Sequence, residues 1–266
     1  MRAIRFLLAI ILTGWVVQSA PAALKVYYLR HAQTGANAVK YFKDVPHDER
    51  PAYVGNANTF SPKGEEQAAD VPRKLAPYHF DFIAVSPLWR TRHTILPYLQ
   101  AQQRSVVIWP ELAEFGGRDG DLSLIGTDGL PPARAELLKG GRKIVIPAEE
   151  QRWFTLPDTS QTKPHLGRGG AEGAADLTAL EQLVIDRVRQ EFGGTDKSIL
   201  LVGHGNAGKY LLSLLTGEHW VVDRGLDNTG LWMAEEQADG SFKLVMGDGK
   251  ILAEMPELEA FKHPVR

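Results

Sequence analysis

The chain of 266 residues has no cysteine. That excludes disulfides, thiolate catalysis and cysteine-ligated metals. It is compatible with an oxidising compartment but does not require one. Nor is there an excess of positive charge: 30 Lys and Arg stand against 32 Asp and Glu, and the formal charge is −2. No basic stripe is present, so a nucleic-acid partner is not expected. Beyond residue 23 no run is apolar enough to span a bilayer, and no internal repeat is visible. At this length one α/β domain with a sizeable core is the default.

The N-terminus is different in character. Arg2 and Arg5 precede an apolar run from Phe6 to Thr13, continued by Trp15-Val16-Val17 and followed by Ser19-Ala20-Pro21-Ala22-Ala23. A positive flank, a short apolar core and an A-x-A-like site at Ala20 and Ala22 read as a signal peptide over residues 1–22. The run is short of the roughly 20 apolar residues of a membrane span. Export, to a periplasm or beyond, is therefore expected, with an uncleaved membrane anchor as the alternative. Cleavage removes both arginines, takes the formal charge from −2 to −4 and leaves one domain over 23–266, with no stable membrane insertion.

Four short apolar segments rich in β-branched or aromatic residues read as strands: Lys25–Leu29, Asp81–Val85, Ser105–Trp109 and Ser198–Val202. Helical patterns lie between and after them. Ser61-Pro62 reads as an N-cap with proline at the first helical position, opening a helix to about Leu75. Leu88–Gln103 reads as a second helix, bent or broken near Pro97. Leu177, Leu180, Leu183, Val184, Val188 and Phe192 mark one face of a third, stopped by Gly193-Gly194. A fourth runs from about Asn206 to Leu215. Gly230–Glu235 and Phe242–Met246 flank Ala238-Asp239-Gly240-Ser241, a hairpin signal. The pattern predicts an α/β fold, with a mainly parallel central sheet, helices on both faces and an antiparallel edge hairpin near the C-terminus. Gly116–Ala175 is rich in Gly and Pro with little periodicity, and reads as an inserted lid or binding segment, or as a disordered one. Its Arg118, Arg134, Arg142, Lys143 and Arg152 either read further anionic groups or form a solvated face.

The strands share one property. The first is followed by Arg30-His31, the second by Ser86-Pro87-Leu88-Trp89-Arg90, the third by Glu111-Leu112-Ala113-Glu114 and the fourth by Gly203-His204-Gly205. Parallel strands bring all four ends to one edge, where ligands bind in open α/β sheets. Arginine forks match the oxygens of a phosphate monoester. A neutral histidine can attack phosphorus, and flanking cations favour its neutral form. A nearby carboxylic acid can protonate the leaving oxygen and then deprotonate a water. That inventory suffices for a phosphohydrolase without metal or other cofactor.

These residues resemble the histidine phosphatase superfamily, in its phosphoglycerate mutase-like branch (branch 1). The family's Arg-His-Gly-Glu-Thr box is here Arg30-His31-Ala32-Gln33-Thr34, with Asn37 shortly after. Its Leu-Thr-x-x-Gly-x-x-Gln-Ala helix start is here Phe60 to Ala68, and its Ser-Pro-Leu-x-Arg segment runs from Ser86 to Thr94. Its Leu-x-Glu box resembles Leu112-Ala113-Glu114, and its second histidine box His204-Gly205-Asn206. The boxes keep the family's order between about residues 25 and 235. The resemblance implies a phosphohistidine on His31 and phosphoryl binding by Arg30, Arg90 and His204, assisted by Asn37. It also implies Glu114 as proton donor, although Glu111 lies three residues away and the segment after Glu114 departs from the family's Gly-x-Trp-Glu-Gly. Ala32 replaces a glycine, and its methyl is expected to narrow the pocket or demand a different backbone angle. Glycine after His204, where the acid phosphatase and phytase branch has aspartate, disfavours that branch.

The expected activity is hydrolysis of a small phosphorylated substrate or a phosphoprotein. The alternatives are a phosphomutase or an inactive module that binds a phosphorylated ligand. Other histidines carry less: His93 reads as structural, while His47, His79, His165, His219 and His263 lack metal-ligand spacing, so no metal site is expected. Arg92 reads as a solvated or supporting residue. Gly203 to Tyr210 nearly spells the G-x-x-x-x-G-K-S/T phosphate loop, but Tyr210 cannot replace the small magnesium-binding hydroxyl. Its glycines are instead expected to let the backbone approach a phosphate beside His204.

Overall fold

A strand turns successive side chains to opposite faces, and Val26-Tyr27-Tyr28-Leu29 is buried on both. Val26 and Tyr28 belong to one apolar cluster, Tyr27 and Leu29 to another. Such a strand belongs in the middle of a sheet covered on both sides. The computed structural model describes residues 23–114, 142–157, 162–163, 170–217, 226–247 and 259–260. The expected signal peptide (1–22) and much of the expected insertion, including Arg118 and Arg134, lie outside the described residues.

Chain order runs β1 (Lys25–Arg30), α1 (Gly35–Ala38), α2 (Pro62–Leu75), β2 (Phe82–Val85), α3 (Trp89–Gln102) and β3 (Val106–Ile108). It continues through β4 (Arg142–Lys143), β5 (Phe154–Thr155), β6 (Thr162–Lys163), α4 (Gly170–Phe192), β7 (Ser198–Gly203) and α5 (Gly205–Thr216). It ends with β8 (Leu231–Glu236), β9 (Phe242–Gly247) and β10 (Glu259–Ala260). The main sheet has the order β10-β9-β8-β1-β7-β2-β3-β5. From β1 to β5 all neighbours are parallel, β8 is antiparallel to β1 and to β9, and β4 pairs with β6 apart from this sheet. The predicted α/β class, the parallel centre and the C-terminal hairpin are all present.

The winding places the site. β1, β2 and β3 follow one another in one direction across the sheet, with α2 and α3 on the face of Tyr27, Leu29, Ile83 and Val85. The chain then returns through α4 and α5, which cover the face of Val26, Tyr28, Ile199 and Leu201. β7 fits between β1 and β2, so the winding reverses beside β1. The carboxyl ends at such a switch point border a ligand crevice.

Three details depart from the sequence reading. α3 runs unbroken through Pro97. Proline removes one backbone bond, and buried Ile95, Tyr98 and Leu99 on either side hold the helix to the sheet. α4 begins at Gly170, inside the stretch read as unpatterned, because Gly170–Ala175 is mostly glycine and alanine and carries no apolar stripe. Residues 144–157 are packed against the domain, with β5 beside β3 and Ile144, Trp153 and Phe154 buried. Two residues of strand are too few to display a period of two.

Arg92, expected to be solvated or supporting, is buried and anchors this segment. Its Nε donates to Glu150 Oε2 at 2.6 Å, and its Nη1 to the Pro87 carbonyl. His93 stacks on Trp89 at 4.1 Å and its Nδ1 donates to the Trp89 carbonyl, a structural role as expected. Arg152 is exposed and lies over the Trp153 ring at 4.3 Å. Among the described residues no helix is long and apolar enough to cross a membrane. Glu150→Ala leaves the Arg92 guanidinium buried without its partner, which costs about 3–5 kcal/mol. Urea unfolding should register that loss, and a change below about 1 kcal/mol, the range of an exposed pair, would contradict this reading.

Candidate active site

The strand pairing continues past the strand ends. His31 N donates to Gly203 O at 3.0 Å, Ser86 N to Val202 O at 2.9 Å and Trp109 N to Val85 O at 3.0 Å. The residues that follow four strands are thereby held side by side. The His31 and His204 rings lie 5.3 Å apart, and one polar atom from each of His31, Glu114 and His204 falls within 4.8 Å of the others. All three side chains are buried.

His31 is fixed by its own neighbour. Its Nδ1 lies 2.7 Å from the Ala32 carbonyl, which can only accept, so Nδ1 carries the proton and Nε2 the lone pair. Burial, then Arg90 and Arg30, hold its pKa well below the ordinary imidazole value. Ala32 N in turn donates to Thr94 Oγ1 at 2.8 Å, and that hydroxyl donates to the Arg90 carbonyl at 2.6 Å. The expected effect of Ala32 on the pocket does not arise. Its methyl packs with Phe60, Ala68 and Trp89, and its backbone stays out of the left-handed region.

His204 takes the opposite tautomer. Arg90 Nε donates to its Nδ1 at 3.1 Å, so Nε2 bears the proton and donates to Ser86 Oγ at 2.8 Å. Burial, Arg90, His31 and Arg30 push this imidazole well below its usual pKa. Glu114 accepts from Asn206 N at 3.2 Å, with its other oxygen 3.8 Å from His204 Nδ1. Burial raises its pKa, against Arg90, Arg30 and the Asn206 bonds. Of the two carboxylates left open by the sequence, Glu114 is the one beside the histidines. Glu111 pairs with Arg187 at 2.7 Å, and Arg187 lies over the Trp109 ring.

Arg30 donates through Nη1 to the Leu226 carbonyl, while its buried Nε makes no hydrogen bond within the protein. Asn37 is the third residue of α1 and closes a capping box with Thr34. Its Oδ1 also accepts from Asn228 Nδ2 at 3.3 Å. The same Asn228 amide donates to the His31 carbonyl at 3.0 Å, tying Asn37 to the catalytic candidate through one residue. Beside it, Thr229 has φ 56°, and its N–H is shared between the carbonyls of Arg30 and His31 at 3.1 and 3.2 Å. A β-branched residue in the left-handed region is strained, and such strain persists only where surrounding bonds hold it. Sequence reasoning missed Asn228 and Thr229, since Asn-Thr-Gly before a strand signals only a turn. It also gave no role to Ser86 or Thr94, although both lie inside a quoted box.

Three amides of the turn that resembles a phosphate loop are engaged within the protein. His204 N donates to Tyr28 Oη at 2.6 Å, Asn206 N to Glu114 and Gly208 N to His204 O at 3.0 Å. The glycines also admit side chains of β1. A Cβ at Gly203 or Gly208 would overlap Tyr28, and one at Gly205 would lie 2.9 Å from the Arg30 guanidinium.

By spacing alone His31, Glu114 and His204 could also surround a cation. Their donors argue for the other sign. Three of the four imidazole nitrogens are already engaged, and Arg30 and Arg90 stand beside the remaining lone pairs. Two guanidiniums next to neutral imidazoles favour an anion.

The comparisons agree with this geometry. Residues 26–123 match the model of the histidine phosphatase superfamily (branch 1), a span that contains His31, Arg90 and Glu114 and stops short of His204. Over that span the chain is similar to this superfamily. Among solved structures, a phosphoserine phosphatase from Entamoeba histolytica in complex with 3-phosphoglyceric acid superposes with TM-score 0.52. It is 19% identical, covering 85% of this chain and 98% of that one. A mycobacterial hydrolase matches with TM-score 0.51 and 21% identity over 84% and 96% of the two chains. The α-ribazole phosphatase from Shigella flexneri matches with TM-score 0.51 and 19% identity over 83% and 94%. At these identities the likeness is one of fold. No curated protein sequence matches the chain.

One buried acid lies outside the histidine group. Glu181 of α4 is fully buried with neither oxygen hydrogen-bonded, and burial, then Glu114 and Glu111, raise its pKa well above the carboxylate range. Its carboxyl holds a proton to higher pH in the folded state than in the unfolded one. The folded state binds the extra proton, so stability falls as pH rises above the ordinary carboxylate pKa. Glu181→Leu should raise the urea midpoint at pH 7, with the gain shrinking towards pH 4. A loss of stability at pH 7 would contradict this assignment. The electrostatics of the histidines can be read by NMR titration. In the native protein His31 should stay neutral well below pH 6.5, and Arg90→Gln should move its titration upward. An unmoved His31 would mean that Arg90 does not act on it.

Proposed function

We propose that the chain is an exported, metal-independent phosphomonoesterase that works through a phosphohistidine on His31. The observation that carries this reading is the state of His31: Nδ1–H is tied back to the Ala32 carbonyl, leaving a neutral Nε2 beside two guanidiniums. In the first step Nε2 bonds to phosphorus as the ester P–O bond breaks, and Glu114 gives its proton to the leaving oxygen. In the second, the Glu114 carboxylate takes a proton from a water whose oxygen bonds to phosphorus as the P–N bond breaks. His31 returns neutral.

Arg30, Arg90 and His204 bind the phosphoryl oxygens and stabilise the charge spread over them. The unpartnered Nε of Arg30 is one donor for that anion. His204 can join because Ser86 is a hydroxyl. If Ser86 donates to Nε2, the proton moves to Nδ1, which then donates to a phosphoryl oxygen once Arg90 turns to the ligand. Asn37 assists at a distance, through Asn228 and the His31 carbonyl. Solved relatives of this fold include enzymes named for small phosphorylated substrates, phosphoserine among them. A small phosphorylated molecule or a phosphoprotein is the substrate class, and export rests on the character of residues 1–22.

His31→Ala should abolish hydrolysis of an aryl phosphate, and a chelator should leave the native rate intact. Activity surviving the first, or lost in the second, overturns the reading. Phosphate release without transfer to phosphoglycerate distinguishes a hydrolase from a mutase. Glu114→Gln should lower kcat/KM, which reports the first half-reaction, about 10²–10⁴-fold on an alkyl phosphate and far less on an aryl phosphate, whose leaving oxygen needs no proton. With Glu114 raised and His31 lowered, kcat/KM should fall as pH rises through the former or drops through the latter. An equal effect of Glu114→Gln on both substrates would remove it as the acid.

A further inference from the structure

The phenol of Tyr28 is a fully enclosed polar group next to the histidines. It is fully buried and stacks on Trp232, with centroids 5.3 Å apart and 5° between planes. Its oxygen accepts from His204 N at 2.6 Å and donates to His204 O at 3.0 Å. One hydroxyl thus engages both main-chain groups of a single residue. His204 lies just beyond the last β1–β7 pair, Arg30 with Gly203, and caps α5 with no side-chain bond of its own. It is at this joint between strand and helix that Tyr28 acts.

The glycines around His204 record the same contact. Tyr28 and Arg30 are two residues apart and share a face of β1. Gly203 and Gly208 make room for the Tyr28 ring and hydroxyl, and Gly205 for the Arg30 guanidinium. The glycine spacing that nearly spells a nucleotide loop is therefore the imprint of two β1 side chains.

We propose that Tyr28 is a positioning residue, whose hydroxyl clamps the His204 main chain and so aims the imidazole at Arg90 and Ser86. The proposal takes its catalytic sense from the phosphohistidine reading. Through His204 Nδ1 the clamp also steadies Arg90, the guanidinium that neighbours both His31 and Glu114. Burial raises the phenol well above its ordinary pKa, so it keeps the proton it donates. Phenylalanine would preserve the ring and its stacking while releasing both main-chain bonds. A misplacement of about 1 Å can cost about 10²-fold in rate.

The test is Tyr28→Phe assayed on an aryl phosphate, alone and in a His204→Ala background, with thermal unfolding alongside. Acting through His204, the change should lower kcat about 10–100-fold with KM nearly unmoved. In the His204→Ala background it should change kcat less than about twofold, as expected for residues acting as one unit. A fall of the same size in both backgrounds, or none in the native one, overturns the clamp. Independently of any variant, the His204 amide of the native protein should be among the slowest to exchange with deuterium. Rapid exchange would overturn the clamp even if Tyr28→Phe failed to fold. A native protein without phosphatase activity would overturn the functional reading and the catalytic role with it. A native enzyme that is active while Tyr28→Phe is equally active removes only the role of Tyr28.

Discussion

The site depends above all on the register between β1 and β7. Arg30 is paired with Gly203, and the ladder runs one bond further, from His31 N to Gly203 O. That single register puts the two histidines beside each other at the switch point of the sheet. It also sets Tyr28 and Arg30 opposite the glycines that accommodate them. A slip by one residue would exchange the faces of β1. Tyr27 would then meet the turn meant for Tyr28, and His31 would leave Glu114. Side chains that fit only one register thereby protect the alignment on which the chemistry rests.

Burial determines the charge of the pocket. It drives His31 and His204 down and Glu114 up, so all three are held towards their neutral forms. The guanidiniums of Arg30 and Arg90 remain as the charged groups among these five side chains. A cationic cleft lined by neutral proton carriers attracts an anion and can still move protons. Holding it together is costly. Thr229 is strained, Arg30 Nε is unbonded and Glu181 is buried without a partner. These departures from an ideal core cluster where structures commonly store strain for function.

Much of this was legible in the sequence. The four strands were visible because each is short, apolar and interrupted by chemistry at its carboxyl end, and Ser61-Pro62 announced α2. Arg30, His31, Arg90, Glu114 and His204 could be proposed because each follows a strand, and parallel strands end together. The choice between Glu111 and Glu114 was not legible, since it depends on Arg187, 76 positions away in α4. Asn228 and Tyr28 were hidden for a similar reason. Each contributes one hydrogen bond or two to a distant main chain, and neither leaves a local pattern. The glycines around His204 are conspicuous in the sequence, but the side chains they make room for lie on another strand. Residues 144–157 read only as part of an insertion because their anchors, Glu150, Trp153 and Phe154, are too few to form a period.

The central claim is that His31 Nε2 carries the phosphoryl group between two half-reactions. The most direct measurement is to denature the enzyme in alkali during turnover, where a phosphohistidine survives, and to map the phosphorylated peptide by mass spectrometry. The account predicts phosphate on the peptide containing His31, appearing within one turnover and cleared when substrate is exhausted. Steady turnover with His31 unmodified, or with the phosphate on another residue, would contradict it.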